Sequence, residues 1–243
     1  MSRFPKTYDA VVSIGQWCAT AICMKKLGLR SASGPFDWLF GGGERVGSYV
    51  GLMLSGFSGF FLRDNLRKVR EDPAEGTEVY VDVVQGWEFR HDFRMGVRFD
   101  ENYAKSRARF DRRIDRLLGT LRSGGSVMLV HWLGEGRYKR DEVVADMRRL
   151  RSAFPGTTID LLVLETDKSA KGVSCDEPEP GVFFAVGDFY DQSRHDAVMG
   201  NERLVLSVLG RIRLRGRWRN LLHVRAESMR RRICRLFSKR GRR

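Results

Sequence analysis

The fold of this chain is constrained above all by a regular alternation between short apolar segments and longer amphipathic segments. The apolar segments have the length and β-branched content of buried strands. They span residues 10–14, 78–84, 126–133, 158–164 and 182–186, with a half-buried strand at 87–93. Helical periodicity lies between them, most clearly at 101–122 and 139–154. Because such alternation favours a parallel sheet covered by helices, we predict an α/β fold, a three-layer sandwich with a mainly parallel sheet of about five strands.

The positive charge of the chain is concentrated at its end. Residues 211–243 contain 14 Lys or Arg and one acidic residue, so they carry +13 of the net +14. The remainder is nearly neutral. We therefore predict two parts, an α/β domain over residues 1–210 and a basic tail over residues 211–243.

The tail has the pattern of a basic amphipathic helix. Its apolar residues fall on one helical face: Trp218, Leu222, Ala226, Met229, Ile233 and Phe237. Arginines cover the other faces. This combination favours binding to an anionic membrane surface. Nucleic acid is the second alternative, and packing of the apolar stripe against the body of the protein is the third.

The cysteines and histidines show neither a disulfide framework nor a metal-binding signature. The four cysteines lack C-x-x-C spacing, and the four histidines are scattered. We therefore expect free thiols, no metal and no other cofactor. The first residues lack an apolar signal segment, and no run approaches the roughly 20 apolar residues of a membrane span. We expect a cytoplasmic protein, peripheral to the inner face of the membrane if the tail binds there.

The stretch from residue 8 to residue 38 carries the strongest indication of a functional site. A strand is followed by Gly15 and by a predicted helix from about 17 to 27, so that Cys18 falls in the first helical turn. The unpaired N–H groups and the positive end of the helix dipole favour a thiolate there. The alternative is that Cys18 is a small buried apolar residue, which is how we interpret Cys23.

Three short blocks, SIGQWC, SGPFDW and FRHDF, resemble a bacterial family of unknown function described as putative papain-like cysteine peptidase. The resemblance covers roughly residues 8–200. It implies that Cys18 is the nucleophile, that His91 is its base, and that an acidic or amide residue orients the imidazole. Gln16 lies only two residues before Cys18, whereas papain-like enzymes place the oxyanion glutamine several residues earlier. The name also implies an α+β fold, in conflict with the alternation described above, to which we give more weight.

Further site residues follow from position and chemistry. Asp37 is the candidate third catalytic group, because Asp92 would point to the face of its strand opposite His91. His131, near the end of an apolar strand, is the second candidate base; otherwise it is a core histidine, and His91 a surface one. The candidate substrate-binding residues are Gln16, Ser33, Trp38 and Arg112. Arg112 belongs to an arginine-rich helix face that either is solvated or binds phosphate or carboxylate.

Two functions remain open. The first is a papain-like cysteine peptidase, or a related thiol hydrolase or acyltransferase, that uses a Cys18–His91 pair on a peptide or glycan-type substrate. The second is a non-catalytic module associated with glycans or nucleotide sugars and held at the membrane surface by its basic tail. A thiol-specific alkylating reagent distinguishes them, because only the first requires Cys18 to react much faster than Cys23.

Overall fold

Within the part of the chain that the computed structural model describes, the protein consists of three β-sheets, of five, four and two strands, and of five α-helices. That part comprises residues 4, 6–15, 17–41, 45–133, 138–190, 200–222, 224 and 226. The strands are Thr7–Tyr8 (β1), Ala10–Ser13 (β2), Leu39–Gly41 (β3), Leu66–Asp72 (β4), Thr77–Asp82 (β5), Trp87–Arg94 (β6), Ser126–Leu133 (β7), Thr158–Thr166 (β8), Ser174–Glu179 (β9), Val182–Gly187 (β10) and Arg213–Leu214 (β11). The helices are Trp17–Lys26 (α1), Val46–Leu54 (α2), Phe99–Arg122 (α3), Arg140–Ala153 (α4) and Glu202–Leu209 (α5).

The larger sheet has five strands in the order β2-β7-β8-β10-β9. The pairs β2–β7, β7–β8 and β8–β10 are parallel, whereas β9 runs antiparallel to β10 at the edge. The α/β class is therefore confirmed, and the sheet is mixed. Residues 165–181 are polar and contain Pro178 and Pro180, which predicts a loop, but this prediction is wrong, because they contain β9. This strand is almost wholly exposed, so it lacks an apolar pattern, and its edge position tolerates Pro178.

The smaller sheet is antiparallel, with the strand order β3-β6-β5-β4, and the sequence did not predict it as a separate sheet. Residues 63–78 are charged and contain Pro and Gly, which predicts a surface loop, but β4 spans residues 66–72 and β5 begins at residue 77. Its side chains are exposed at nearly every position. Ion pairs with its neighbours, such as Lys68–Glu78 at 2.8 Å, replace the apolar contacts that a sequence pattern would reveal.

The larger sheet separates two apolar cores because its strands present alternate residues to opposite faces. In β7, Leu129 and Leu133 face the core that α2, α3 and α4 cover. Met128 and Trp132 face the core that α1 and α5 cover. The apolar strand segments of the sequence therefore predict which residues of the larger sheet are buried.

An aromatic cluster connects the smaller sheet to α3. The ring of Phe61 lies 4.6 Å from that of Phe89 in β6 and 4.8 Å from that of Phe110 in α3. Phe60 also contacts Phe110, with the ring centroids 5.3 Å apart. These contacts fix β6, and with it His91, relative to the arginine-rich helix.

The beginning of the basic tail is joined to the body of the protein. β11 pairs in parallel with β1, and residues 217–222 are helical. Arg217 Nε donates to the carbonyl of Leu27 at 2.7 Å, and Asn220 Nδ2 donates to that of Gly28 at 3.1 Å. Trp218 is 56% exposed on this helix, beside the similarly exposed Leu222.

The remainder of the predicted amphipathic stripe, Met229, Ile233 and Phe237, lies outside the described residues. The division of the chain at residue 210 stays a prediction. In the described part of the chain, no helix combines the length and the apolar character that crossing a bilayer requires.

Candidate functional site

A tight turn at the end of β2 sets the start of α1. Gly15 has a φ of +80°, a conformation that favours glycine. A Cβ atom there would lie 2.0 Å from the hydroxyl oxygen of Tyr49, so no side chain fits without movement of that ring. The turn is tied to the sheet by a hydrogen bond from Ile14 N to the carbonyl of Val130 at 2.9 Å. Gln16 lies outside the described residues.

Cys18 lies in the first turn of α1, as the sequence predicts, and its side chain is buried. Burial raises the pKa of this thiol above its ordinary value, whereas its own backbone N–H and the Arg90 guanidinium act to lower it. The helix start thus favours the thiolate in the expected direction, but burial outweighs it. Arg90 is held 4.0 Å from the Phe40 ring centroid and pairs with Glu88 at 2.5 Å.

His91 follows Arg90 in β6, and its side chain is exposed. Its ring meets Trp38 edge-on, with 5.8 Å between the ring centroids. Within the described residues, neither a hydrogen bond nor an ion pair joins His91 to Cys18. Asp92 is buried and pairs with Arg109 of α3.

His131 lies at the carboxyl end of β7, fully buried beside the turn that precedes Cys18. Its Nδ1 is 2.6 Å from the carbonyl oxygen of Ile14. Because a carbonyl oxygen only accepts hydrogen bonds, we assign the proton to Nδ1, which makes Nε2 the basic nitrogen. The ring centroid of Tyr49 lies 5.3 Å away. This imidazole therefore has a fixed orientation, which His91 lacks.

Asp37 is buried and serves the loop that carries it. It accepts hydrogen bonds from the Arg30 guanidinium and from the backbone N–H of Gly34, the latter at 2.8 Å. Burial raises the pKa of Asp37, and these two donors oppose that rise. Arg30 also donates to Ser33 Oγ at 2.6 Å. In the described part of the chain Asp37 makes no hydrogen bond to an imidazole.

A group of arginines on α3 extends this charged cluster. Arg109 pairs with the buried Asp92. Arg113 acts to lower the pKa of both Asp37 and Asp92 against the rise that burial causes. Arg112, the arginine that the sequence analysis selected, is exposed.

Sequence reasoning missed Arg113 and Arg30 as members of the cluster. A signal for Arg113 was present, because it lies three residues after Phe110 and four before Leu117. Both of these are apolar contact positions of α3. A metal centre is not indicated, since the described residues contain no group of three or more potential metal ligands. His195, a further histidine of the sequence, lies outside the described residues.

Comparison with known proteins adds one family and one relative. A family model described as "Putative papain-like cysteine peptidase (DUF1796)" matches residues 9–163. The chain is 29% identical over 134 residues to "Uncharacterized protein R408" of Acanthamoeba polyphaga mimivirus. That alignment covers 49% of this chain and 59% of the relative, so the chain spans less than two thirds of the relative's length. No solved structure matches the chain. The matched family range includes Cys18, Asp37, His91 and His131 and ends before the tail.

Proposed function

The chain belongs to the family described as putative papain-like cysteine peptidase, and we propose that it is a thiol hydrolase or acyltransferase with Cys18 as its nucleophile. The observation that carries this proposal is the position of Cys18. It lies at a helix start just beyond the carboxyl end of a parallel strand, where α/β sheets bind ligands. Its own backbone N–H and Arg90 both stabilise the thiolate.

The proposed reaction has two steps. The thiolate of Cys18 attacks the substrate carbonyl carbon, a carbon–sulfur bond forms, and the leaving amine or alcohol takes a proton from the imidazolium. Water or another acceptor, deprotonated by the imidazole, then attacks the thioester and releases the thiol. Because burial raises the pKa of Cys18, the thiol depends on an imidazole to accept its proton.

We assign the role of base to His91 and keep His131 as the alternative. His91 lies in the FRHDF block on which the family resemblance rests, and its exposed ring has room to turn. His131 has the better orientation, because the carbonyl of Ile14 holds its Nδ1. Asp37 and Ser33 would shape the loop that faces the substrate, and Trp38 would contact the substrate beside His91. The proposed substrate is a peptide or a glycan-type molecule.

Alkylation kinetics test this proposal. Iodoacetamide labelling is followed by peptide mass spectrometry as a function of pH, so that Cys18, Cys23 and Cys175 are measured in the same sample. We expect Cys18 to react at least tenfold faster than Cys23 at pH 7, because a thiolate–imidazolium pair ionises below the ordinary thiol pKa of about 8.5. His91→Ala should remove this low-pH reactivity, and the rate should then rise only above that pH.

Two further measurements identify the base and test the acyl transfer. If His131→Gln, and not His91→Ala, removes the low-pH reactivity, His131 is the base. Incubation with p-nitrophenyl acetate should add one acetyl group to Cys18, and a Cys18→Ser variant should release no burst of nitrophenol. Equal and slow labelling of Cys18 and Cys23 would refute the thiol mechanism.

A second candidate function is a non-catalytic module that binds a glycan or nucleotide-sugar ligand. It is favoured by the raised pKa of Cys18 and by the lack of a hydrogen bond between Cys18 and His91 within the described residues. Slow labelling of Cys18 together with unimpaired ligand binding by Cys18→Ser would support this function over the first.

In either case we propose that the basic tail binds an anionic membrane surface. The exposed Trp218 and Leu222 would enter the interface while the arginines contact lipid phosphates. The double variant Trp218→Ala/Leu222→Ala should reduce sedimentation with phosphatidylserine vesicles several-fold. Val84→Ala, which truncates an exposed apolar residue outside the tail, is the matched control. Binding to duplex DNA but not to these vesicles would point to nucleic acid instead.

A further inference from the structure

A small cavity lies between the loop at residues 30–34, the edge of β2 and the helix α3. Its volume is about 70 Å³, and its polar and charged lining consists of Ser13, Arg30, Ser31, Ser33, Asp37, Arg113, Arg116 and Thr120. Among the described strands, β2 is at the edge of its sheet, with β7 on one side only. The main-chain N–H and C=O groups on the other side of β2 therefore have no strand partner, and they border the cavity.

The lining of the cavity carries an excess of positive charge. Three of its residues are arginines, Arg30, Arg113 and Arg116, and one is a carboxylate, Asp37. Its formal charge is therefore +2. Asp37 is already engaged by Arg30 and by the N–H of Gly34, so it has little capacity to neutralise Arg113. Burial, together with the neighbouring Arg109, lowers the pKa of Arg113, and Asp92 and Asp37 oppose this effect only in part.

Several donors around the cavity lack partners in the described part of the chain. Arg113 forms neither a hydrogen bond nor an ion pair there. The central carbon of its guanidinium group lies 5.8 Å from the centroid of the Phe110 ring. The hydroxyl of Ser13 and the Nε of Arg30 are buried, and neither has a hydrogen-bond partner among those residues. Buried polar groups are normally satisfied, so these donors indicate a group that is bound from outside.

We propose that this cavity binds a phosphate group. A space of about 70 Å³ holds about five water-sized atoms, which is the number of heavy atoms in phosphate. The charge of +2 matches a phosphate dianion. Arginine and hydroxyl donors suit its oxygens, whereas a cation would be repelled and a neutral sugar would leave the charge uncompensated. The shared chemistry is the phosphate group, whether it belongs to free phosphate or to a phosphate ester.

This site does not depend on the thiol chemistry proposed above. Phosphate binding requires Arg113, Ser13 and Arg30, and none of these residues takes part in acyl transfer. A Cys18→Ala variant should therefore bind phosphate as the natural protein does. The two proposals can consequently fail independently of each other.

Isothermal titration with inorganic phosphate at constant ionic strength tests the inference on the full chain. We expect saturable binding of one phosphate per chain, weakened about tenfold to a hundredfold in Arg113→Gln, because one charge-assisted contact is lost. Arg112→Gln is the matched control, because this arginine, a substrate-binding candidate from the sequence alone, is exposed and is not among the residues that line the cavity. It removes the same charge from the neighbouring, exposed position of the same helix, and it should leave the Kd within about twofold.

Further measurements make the result unambiguous. Arg113→Lys keeps the charge and should recover part of the affinity, which guards against a folding defect in Arg113→Gln. Phenyl phosphate that binds more tightly than inorganic phosphate would indicate an ester as the natural ligand, whereas the reverse would indicate free phosphate. Equal weakening by Arg112→Gln and Arg113→Gln, acetate bound as tightly as phosphate, or no saturable binding at all would overturn the proposal.

Discussion

Two buried carboxylates, Asp160 and Asp37, are neutralised in different ways. Asp160 lies near the amino end of β8, where Tyr8 donates to it at 2.8 Å, Lys6 pairs with it at 3.1 Å and Arg151 is 3.7 Å away. Arg151 also pairs with Glu179 at 3.3 Å. Arg148 pairs with Glu179 as well, so every cation of this group has a carboxylate partner, and in that sense the group is balanced. It fastens the amino end of the sheet.

The cluster around Asp37 is not balanced. Asp37 pairs with Arg30 and Asp92 pairs with Arg109, whereas Arg113 has no ion-pair partner among the described residues and lies beside a cavity. A protein core gains no stability from an uncompensated buried charge. Departures from the rules that govern the rest of a fold are expected at functional sites. The difference between the two clusters therefore separates a group that holds the fold from a group that is available to a ligand.

The positions of the two clusters support the same distinction. The balanced group lies at the amino ends of the parallel strands. The turn before Cys18 and the side chain of His131 lie at their carboxyl ends, which is where open α/β sheets place their ligands. The cavity with Arg113 follows the edge of β2 toward that same end, since its lining runs from Ala10 to Ser13.

The largest expected effect comes from Asp37→Asn. Arg30, whose side chain is only 9% exposed, would lose its carboxylate and could not reach solvent. We expect a loss of about 3–5 kcal/mol of unfolding free energy, the cost of breaking a buried ion pair. Urea denaturation followed by circular dichroism measures it.

Asp160→Asn is the matched comparison for that loss. The side chains of Lys6 and Arg151 are 46% and 26% exposed, so both cations can turn toward water, and the amide oxygen can still accept from Tyr8. We expect a smaller loss of about 1–3 kcal/mol. If Asp160→Asn proves as costly as Asp37→Asn or costlier, the distinction between the two clusters is wrong.

The sequence predicted the elements whose burial is periodic. The strands β2, β7, β8 and β10 and the helices α3 and α4 follow directly from runs of apolar residues and helical stripes. The polar strands β4 and β9 could not be recognised, because edge pairing and ion pairs stabilise them without an apolar pattern.

The candidate site shows the same limit. Cys18 was placed correctly in the first turn of its helix, since a strand, a glycine and a helix follow one another in the sequence. The burial that raises its pKa arises from tertiary contacts, which the local sequence does not reveal. The cluster around Arg113 likewise joins α3 to a loop about 80 residues earlier, and no local pattern predicts such a pairing.

The smallest expected effect on stability is that of Arg113→Gln. This guanidinium forms no hydrogen bond in the described part of the chain, and its burial carries a desolvation cost, so its removal should change the unfolding free energy by less than about 1 kcal/mol in either direction. Phosphate then sharpens the comparison. At about ten times its Kd it should stabilise the natural protein by about 1.4 kcal/mol and leave Arg113→Gln nearly unaffected. Thermal or urea unfolding with and without phosphate measures both effects. A loss of several kcal/mol without phosphate would show that Arg113 holds the fold, as Asp160 does, and would place both clusters in the same structural class.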